Sequence, residues 1–373
     1  MEEQYMKRAL ELAEQGMGKT APNPMVGAVI LKDGRIIGEG FHKAYGESHA
    51  EVNAVKNASE SVEGATLYVN LEPCSHYGKT PPCAELIIQK RIKRVVIGTL
   101  DPNPLVEGKG IAMLVKAGVS VTVGVMEAEC KKLNEVFFYY IKTEKPYVVL
   151  KTAMSLDGKI AAVTGKSKWI TGEEAREDVH RLRNRYAGIM TGVSTVIKDD
   201  PQLTCRLTGG KNPKRIILDS RLRIPLHSKV LQDQVNNQTI LATTEQADPE
   251  ARRRLEDAGV KVLVLHEKDQ RVDLQDLMVR LGAMGIDSIL LEGGAELNAA
   301  AVEQGILQKY IAYTAPMILG GGSSRTPVGG MGVQSPDQAQ SLTFESVEQI
   351  GKDMKMTAYF KDRREDSACL QEL

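Results

Sequence analysis

A histidine and a glutamate two residues apart, His49-Ala50-Glu51, are followed in the sequence by two cysteines separated by eight residues, Cys74 and Cys83. One imidazole and two thiolates form a zinc donor set. Three protein donors leave the fourth tetrahedral position to water, as a catalytic site requires, whereas a structural site is closed by four. Zinc lowers the pKa of bound water from about 15.7 to about 7, and at about 1.36 kcal/mol per unit this is about 12 kcal/mol of easier deprotonation. Glu51 stands outside the ligand count. It is free to take the water's proton and pass it on to a bound substrate.

These residues must be brought together by the elements that carry them. Ser48 opens a predicted helix running to about Ala58, which sets His49 and Glu51 in its first turn. Cys83 follows Pro81-Pro82 at the start of a second predicted helix ending near Lys90, where the positive end of the helix dipole favours a thiolate. Cys74 follows the apolar strand predicted over Ala65–Leu71 and has to come from a loop that folds back beside Cys83. His-x-Glu followed by Pro-Cys matches the signature of zinc-dependent deaminases, although two cysteines two residues apart are the simpler form. The plainer reading makes Ser48-x-x-Glu51 a capping box. His42 and His76 are possible additional ligands that would close the site and make it structural. His76 and Lys79 also fall inside the inter-cysteine loop, the obvious place to read a substrate.

A chain of 373 residues is long enough for two domains. Its 48 basic and 48 acidic side chains cancel, so no global field favours nucleic acid or an anionic membrane, and any phosphate must be held locally. Five unevenly spaced cysteines are not a disulfide framework. The start, Met-Glu-Glu-Gln, has neither the basic nor the apolar region of a signal peptide. The charge-free run between Tyr310 and Arg325 contains Thr, Pro and a Gly triplet and is no membrane span. The expected location is the cytoplasm.

Met6, Ala9, Leu10 and Ala13 predict an opening helix that ends at Gly16 and Gly18. Val26–Leu31 and Arg35–Gly40 flank Lys32-Asp33-Gly34 as a hairpin. Strand Arg94–Thr99, a helix near Ile111–Lys116 and strand Val119–Val123 continue an α/β alternation. A long helix is predicted over Met126–Ile141. The polar stretch Lys142–Pro146 is the best boundary, giving domains 1–145 and 146–373. Alternation then restarts, with strands near Tyr147–Thr152, Gly188–Thr191, Arg215–Asp219, Thr239–Thr243, Lys261–Leu265 and Ser288–Leu291. Helices are predicted at Glu173–Tyr186, Pro249–Ala258 and Leu274–Met284.

Pro22-Asn23-Pro24-x-Val26-Gly27, His49-Ala50-Glu51, Glu72-Pro73-Cys74-Ser75-His76-x-Gly78-x-Thr80-Pro81-Pro82-Cys83 and Asp101-Pro102-Asn103-Pro104 together resemble the bifunctional riboflavin-biosynthesis deaminase/reductases. The eight-residue cysteine spacing is that family's own variant, and the likeness covers nearly the whole chain. It implies a cytidine-deaminase-like three-layer α/β/α domain followed by a dihydrofolate-reductase-like α/β domain. It also implies one Zn2+ per chain on His49, Cys74 and Cys83, with Glu51 catalytic. Substrate contacts from Asn23, His42, His76, Lys79 and Asn103 would hold a diaminopyrimidinone carrying a ribosylamino 5-phosphate. Asn offers both donor and acceptor to a base edge, although Asn23 and Asn103 beside Pro are also ordinary turn residues.

The second half lacks a G-x-G-x-x-G fingerprint. Leu290-Leu291-Glu292-Gly293-Gly294 runs from strand through two glycines into a helix, which suits an anion but is also a plain β-to-α turn. Lys151–Ile160 and Ser167–Thr171 look like the opening strands of such reductases, and Asp199-Asp200-Pro201-x-Leu203-Thr204-x-Arg206 is similar to the family's substrate loop. The resemblance implies that Ala153, Trp169, Thr195, Asp199, Ser220 and Gly294 line NADPH. It likewise implies that Ser167, Arg183, Leu203, Arg206 and Glu292 hold the phosphosugar. A guanidinium fork suits phosphate, while Arg183 is also readable as part of a solvated helix face. Lys151, Asp199 and Glu292 are the candidate proton donors. The expected partners are the small-molecule substrate and further copies of the chain, as dimer or tetramer, with neither nucleic acid nor membrane. A nucleoside or tRNA deaminase fused to an unrelated nucleotide-binding domain, and a zinc-stabilised regulator without turnover, are the competing readings.

Overall fold

The computed structural model describes residues 2–77, 81–104 and 106–361. The chain divides into two compact units, Met1–Glu144 and Lys145–Leu373. Among the described residues no helix is long and apolar enough to cross a membrane.

The first unit contains α1 (Glu2–Glu14), β1 (Gly27–Lys32), β2 (Arg35–Phe41), α2 (Ala50–Lys56), β3 (Thr66–Leu71), α3 (Cys83–Gln89), β4 (Arg94–Thr99), α4 (Lys109–Lys116), β5 (Ser120–Val123), α5 (Glu127–Leu133) and α6 (Glu135–Thr143). Its sheet has the order β2-β1-β3-β4-β5. β1 is antiparallel to β2 and β3, whereas β3, β4 and β5 run parallel. Side chains alternate across the pleat. Val29, Tyr68 and Val96 pack with Met6 and Ala9 of α1 and Cys130 of α5. Ala28, Ile30, Leu67, Val69, Val95 and Ile97 pack on the opposite face with α2, α3 and α4 through Ala54, Ile87 and Leu114. This is the expected α/β/α sandwich.

The contact of α2 with β2 places the site. A Cβ added at Gly40 would lie 2.3 Å from the Ala54 nitrogen and 2.6 Å from the Ala50 oxygen. Only glycine lets the helix that bears Glu51 sit directly on that strand.

The single helix expected over Met126–Ile141 is two helices, α5 and α6, broken at Asn134. Asn134 is buried, and its amide both accepts from the Met25 N–H at 2.8 Å and donates to the Met25 oxygen at 2.9 Å. A side chain committed to distant backbone stays where its partner holds it, and the helix turns there.

The second unit contains β6 (Tyr147–Ser155), α7 (Glu173–Arg185), β7 (Gly188–Gly192), α8 (Val193–Asp199), β8 (Lys214–Leu218), β9 (Thr239–Thr244), α9 (Pro249–Asp257), β10 (Lys261–Leu265), β11 (Glu267–Lys268), β12 (Arg271–Val272), α10 (Leu274–Ala283), β13 (Ser288–Leu291), α11 (Ala295–Glu303), β14 (Lys309–Ala315), β15 (Leu342–Ile350) and β16 (Asp353–Phe360). Nine strands form one sheet in the order β10-β9-β8-β7-β13-β6-β14-β16-β15. The first seven of these run parallel, and β16 and β15 add an antiparallel edge. One core joins β6, β13 and β9 to α10 and α11, and another joins β7, β8 and α8 to α9. The late strand β13 inserts between β7 and β6, so the strand order reverses there. Ligands of open α/β sheets bind outside the carboxyl ends of strands at such a place.

Candidate active sites

In the first unit His49 caps α2, Cys83 is the first residue of α3, and Cys74 follows β3. Their three donor atoms lie within 4.8 Å of one another. His49 Nδ1 is 3.5 Å from Cys74 Sγ and 3.3 Å from Cys83 Sγ. A tetrahedral zinc with ordinary bond lengths would set nitrogen and sulfur about 3.6 Å apart, so the imidazole nitrogen already stands at a zinc-binding separation from both sulfurs. Cys83 N–H also donates to Cys74 Sγ at 3.3 Å, which fixes the loop beside the helix start. Without metal the thiols compete for one proton. Cys74 is pulled down by the Cys83 thiol and by His49, Cys83 is pushed up by the Cys74 thiol and burial, and His49 is raised to about 9 chiefly by Cys74.

The capping-box reading of Ser48 and Glu51 is not what forms. The N-cap is His49 and no side chain caps the helix. Glu51 is 3 % exposed, and burial followed by the nearby Cys74 thiolate pushes its carboxyl above the ordinary range. A carboxyl so poised can hold a proton and release it.

His42 is buried and its ring meets that of His49 edge-on, with centroids 5.6 Å apart. Its Nδ1 lies 3.2 Å from the Ser48 oxygen and its Nε2 3.3 Å from Asn23 Nδ2. Nδ1 must therefore carry the proton and Nε2 accept from Asn23. His42 thus orients Asn23, whose amide oxygen remains for a base edge. His76 is exposed and lies outside the ligand group, and Lys79 falls outside the described residues. Asn103 N–H donates to Asp101 Oδ1 at 2.8 Å, and burial raises Asp101 to about 6.

Sequence reasoning gave Glu72 no role, although it precedes Pro73-Cys74. Its buried carboxylate accepts from the N–H groups of Asp101, Gly108 and Ile111 at 3.4, 3.1 and 3.2 Å. It ties the Asn103 loop to the strand end that leads into the cysteine ligand.

In the second unit the reversal point gathers Lys151, Arg183 and Glu292. Arg183 grips Glu292 with a fork, Nε to Oε1 at 2.8 Å and NH2 to Oε2 at 3.0 Å, and Lys151 Nζ lies 2.9 Å from Oε2. Burial opposes the charge on Glu292, but Arg183 and Lys151 outweigh it and hold the carboxyl far below the ordinary range. The Arg183 fork, expected to face phosphate, is thus occupied by protein. Leu203 is buried in the core beside Ile189 and Val196, so its side chain is an anchor and only its backbone can face a ligand. Arg206 is exposed.

Among the residues expected at the cofactor, Thr195 and Gly294 converge: a Cβ at Gly294 would be 3.7 Å from the Thr195 hydroxyl. Ala153 is half-buried near the end of β6, and Asp199 ends α8. Ser220 Oγ accepts from the Val272 N–H at 3.2 Å. Ser167 is half-buried, and the single Trp169 is 66 % exposed, with the Arg176 guanidinium 4.6 Å over its ring. Of these residues, Thr195 and Gly294 are the pair that the geometry brings together.

An N-terminal unit built around a two-cysteine, one-histidine zinc site and a C-terminal unit of reductase type define a bifunctional deaminase–reductase. The family model described as the cytidine and deoxycytidylate deaminase zinc-binding region matches residues 1–99, and the model of the RibD C-terminal domain matches residues 146–356. The chain belongs to the RibD family of riboflavin biosynthesis proteins. It is 50 % identical to the riboflavin biosynthesis protein RibD of Actinobacillus pleuropneumoniae over 94 % of this chain and 93 % of that one. With the Escherichia coli K12 protein it shares 40 % identity over 95 % of this chain and 98 % of the other. It is similar to the solved Acinetobacter baumannii RibD (form 1), with a TM-score of 0.87, 39 % identity, and coverage of 97 % of this chain and 99 % of that one. A Thermotoga maritima structure described as a diaminohydroxyphosphoribosylaminopyrimidine deaminase/5-amino-6-(5-phosphoribosylamino)uracil reductase gives a TM-score of 0.86 and 38 % identity over 96 % and 99 % of the two chains.

Proposed function

We propose that this bifunctional enzyme deaminates 2,5-diamino-6-(5-phosphoribosylamino)pyrimidin-4-one with residues 1–145. We further propose that residues 146–373 reduce the ribosyl group of the resulting uracil with NADPH, giving 5-amino-6-(5-phosphoribitylamino)uracil. The observation that carries the first step is the three-donor cluster beside a buried carboxyl. His49, Cys74 and Cys83 would hold the zinc, which when bound would supply a water acidic enough to ionise near neutrality. Glu51 would carry the water's first proton to the ring nitrogen and the second, from the hydroxyl then bonded to the ring carbon, to the departing amine, so that water and amine become carbonyl and ammonia. Asn23, held by His42, reads the base edge with Asn103, while His76 and Lys79 lie in sequence where the loop meets the substrate.

In the second step NADPH supplies the hydride to carbon 1 of the sugar. Ala153, Trp169, Thr195, Asp199, Ser220 and Gly294 bind and orient the cofactor. Ser167, Leu203 and Arg206 seat the phosphosugar, and the Lys151–Glu292–Arg183 cluster faces the reacting carbon. Within that cluster Lys151 is the side chain with protons to give, since Glu292 is held ionised.

The zero net charge supports a small-molecule substrate over nucleic acid or membrane, and the unpaired described cysteines support a cytoplasmic enzyme. Phe344 and Val347 are exposed on β15, the last strand of the described sheet, which supports a homo-oligomer, dimer or tetramer.

The deciding experiment supplies the zinc-loaded protein with the diaminopyrimidinone, with and without NADPH. Ammonia and the ribosyl uracil are expected without cofactor, and the ribityl product with it. Glu51→Gln should keep its zinc and lose about 10²- to 10⁴-fold of the deamination rate. No ammonia from wild type, or an unchanged rate in the variant, removes the proposal.

A further inference from the structure

The segment that carries Arg206 has no regular secondary structure, yet it is fastened at successive residues. Leu203 is anchored in the core. Arg183 NH1 donates to the Thr204 oxygen at 3.1 Å. Cys205 N–H donates to Asn212 Oδ1 at 2.8 Å, and its thiol donates to the His180 carbonyl at 3.4 Å. The Arg206 N–H donates to His180 Nδ1 at 3.3 Å. A backbone N–H can only donate, so Nδ1 is the acceptor and the neutral ring carries its proton on Nε2. His180 and Arg183 are three apart on α7, hence on one face, and one helix turn therefore holds three consecutive residues. What is left unfastened is the exposed Arg206 guanidinium, which no ion pair among the described residues engages.

We propose that His180 is a positioning residue of the reductase: by accepting the Arg206 N–H it fixes the backbone from which the one uncommitted guanidinium of this cluster reaches the substrate phosphate. This rests on the reading of residues 203–206 as the phosphosugar loop. Arg183 cannot substitute for Arg206, because its fork is closed on Glu292. An arginine on an unpinned backbone would pay its ordering entropy at every binding event. The interaction therefore belongs in substrate affinity and not in hydride transfer.

The test measures reductase kinetics of the full-length protein with the phosphoribosylamino uracil and with its dephosphorylated form, for His180→Asn, His180→Gln, His180→Ala and Arg206→Gln. Asn places an amide oxygen close to Nδ1, whereas Gln carries its polar group out toward Nε2. We expect Ala and Gln to raise the substrate KM about five- to twentyfold, with kcat and the NADPH KM near wild type, and Asn to restore the substrate KM. The Ala effect should vanish on the dephosphorylated substrate. If Arg206→Gln leaves the KM for the phosphorylated substrate unchanged, the loop reading fails and the proposal with it. If Arg206→Gln raises that KM but His180→Ala does not, the loop reading stands and the role of His180 is overturned. Equal behaviour of Asn and Gln, or a parallel change in kcat and both KM values, also overturns it.

Discussion

Glu292 is a carboxylate with about one-eighth of its side chain exposed, placed between a lysine and an arginine that are equally buried. Two cations around one buried anion are tolerable only while the anion is present, because removal of one partner leaves uncompensated charge. Glu292→Gln is therefore expected to destabilise the reductase unit by about 3–5 kcal/mol at neutral pH, read as a lower urea midpoint of the reductase transition. The pH dependence has a definite sign. The folded carboxyl lies below its ordinary value, so its stabilisation is complete above the unfolded value of about 4.3 and is lost as pH falls from there toward the folded value. The gap between wild type and variant should be widest near pH 7 and shrink below about pH 4. A gap that stays constant down to pH 3 would show that the carboxylate charge is not what the variant lost.

At the scale of elements, the loop bearing Asn23 is held by two buried asparagines from distant parts of the chain. Asn70 on β3 accepts from Gly27 N–H at 2.8 Å and donates to the Met25 oxygen at 3.0 Å. Asn134, between α5 and α6, supplies the remaining contacts to Met25. Asn134→Ala strands the Met25 N–H, and we expect a loss of about 2–4 kcal/mol from the first unit. A several-fold higher KM for deamination should accompany it, with zinc content unchanged. Asn134→Asp keeps the acceptor but sets a buried carboxylate oxygen against the Met25 oxygen, and should lose at least as much stability at neutral pH. Urea unfolding and deamination kinetics on the same preparations check both. This break in the helix was not legible in the sequence, since its cause lies more than a hundred residues away. α10, with one apolar face, was legible because periodicity reports burial, and β4, buried on both faces, because its apolar run is continuous. For the same reason β15 was not: its residues are exposed or half-exposed in no regular alternation, and none is fully buried. α8 was hidden by its Val, Thr and Ile, which favour strands. The group of His49, Cys74 and Cys83 with its neighbour Glu51 was legible because a metal dictates residue type and spacing, whereas the residues proposed to face NADPH entered through resemblance alone.

Across the whole molecule, the two units have separate cores, one pair built from residues before Glu144 and the other from residues after Lys145. The metal-ligating group found among the described residues lies entirely in the first. Zinc binds the folded donor cluster in preference to the unfolded chain, so its binding energy adds to the stability of the unit that holds it. At a ligand concentration of about 100 times Kd the contribution is about 2.7 kcal/mol. Chelation of the zinc should therefore abolish ammonia release and lower the unfolding temperature of the first unit. The second unit's transition should stay where it was, and so should NADPH oxidation by the chelated protein given the deaminated substrate directly. Scanning calorimetry and the two assays on one chelated sample separate the outcomes. If reductase turnover falls in step with deamination, or both transitions move together, the second unit depends on the metal in the first, and independent cores are not sufficient to explain how the chain works.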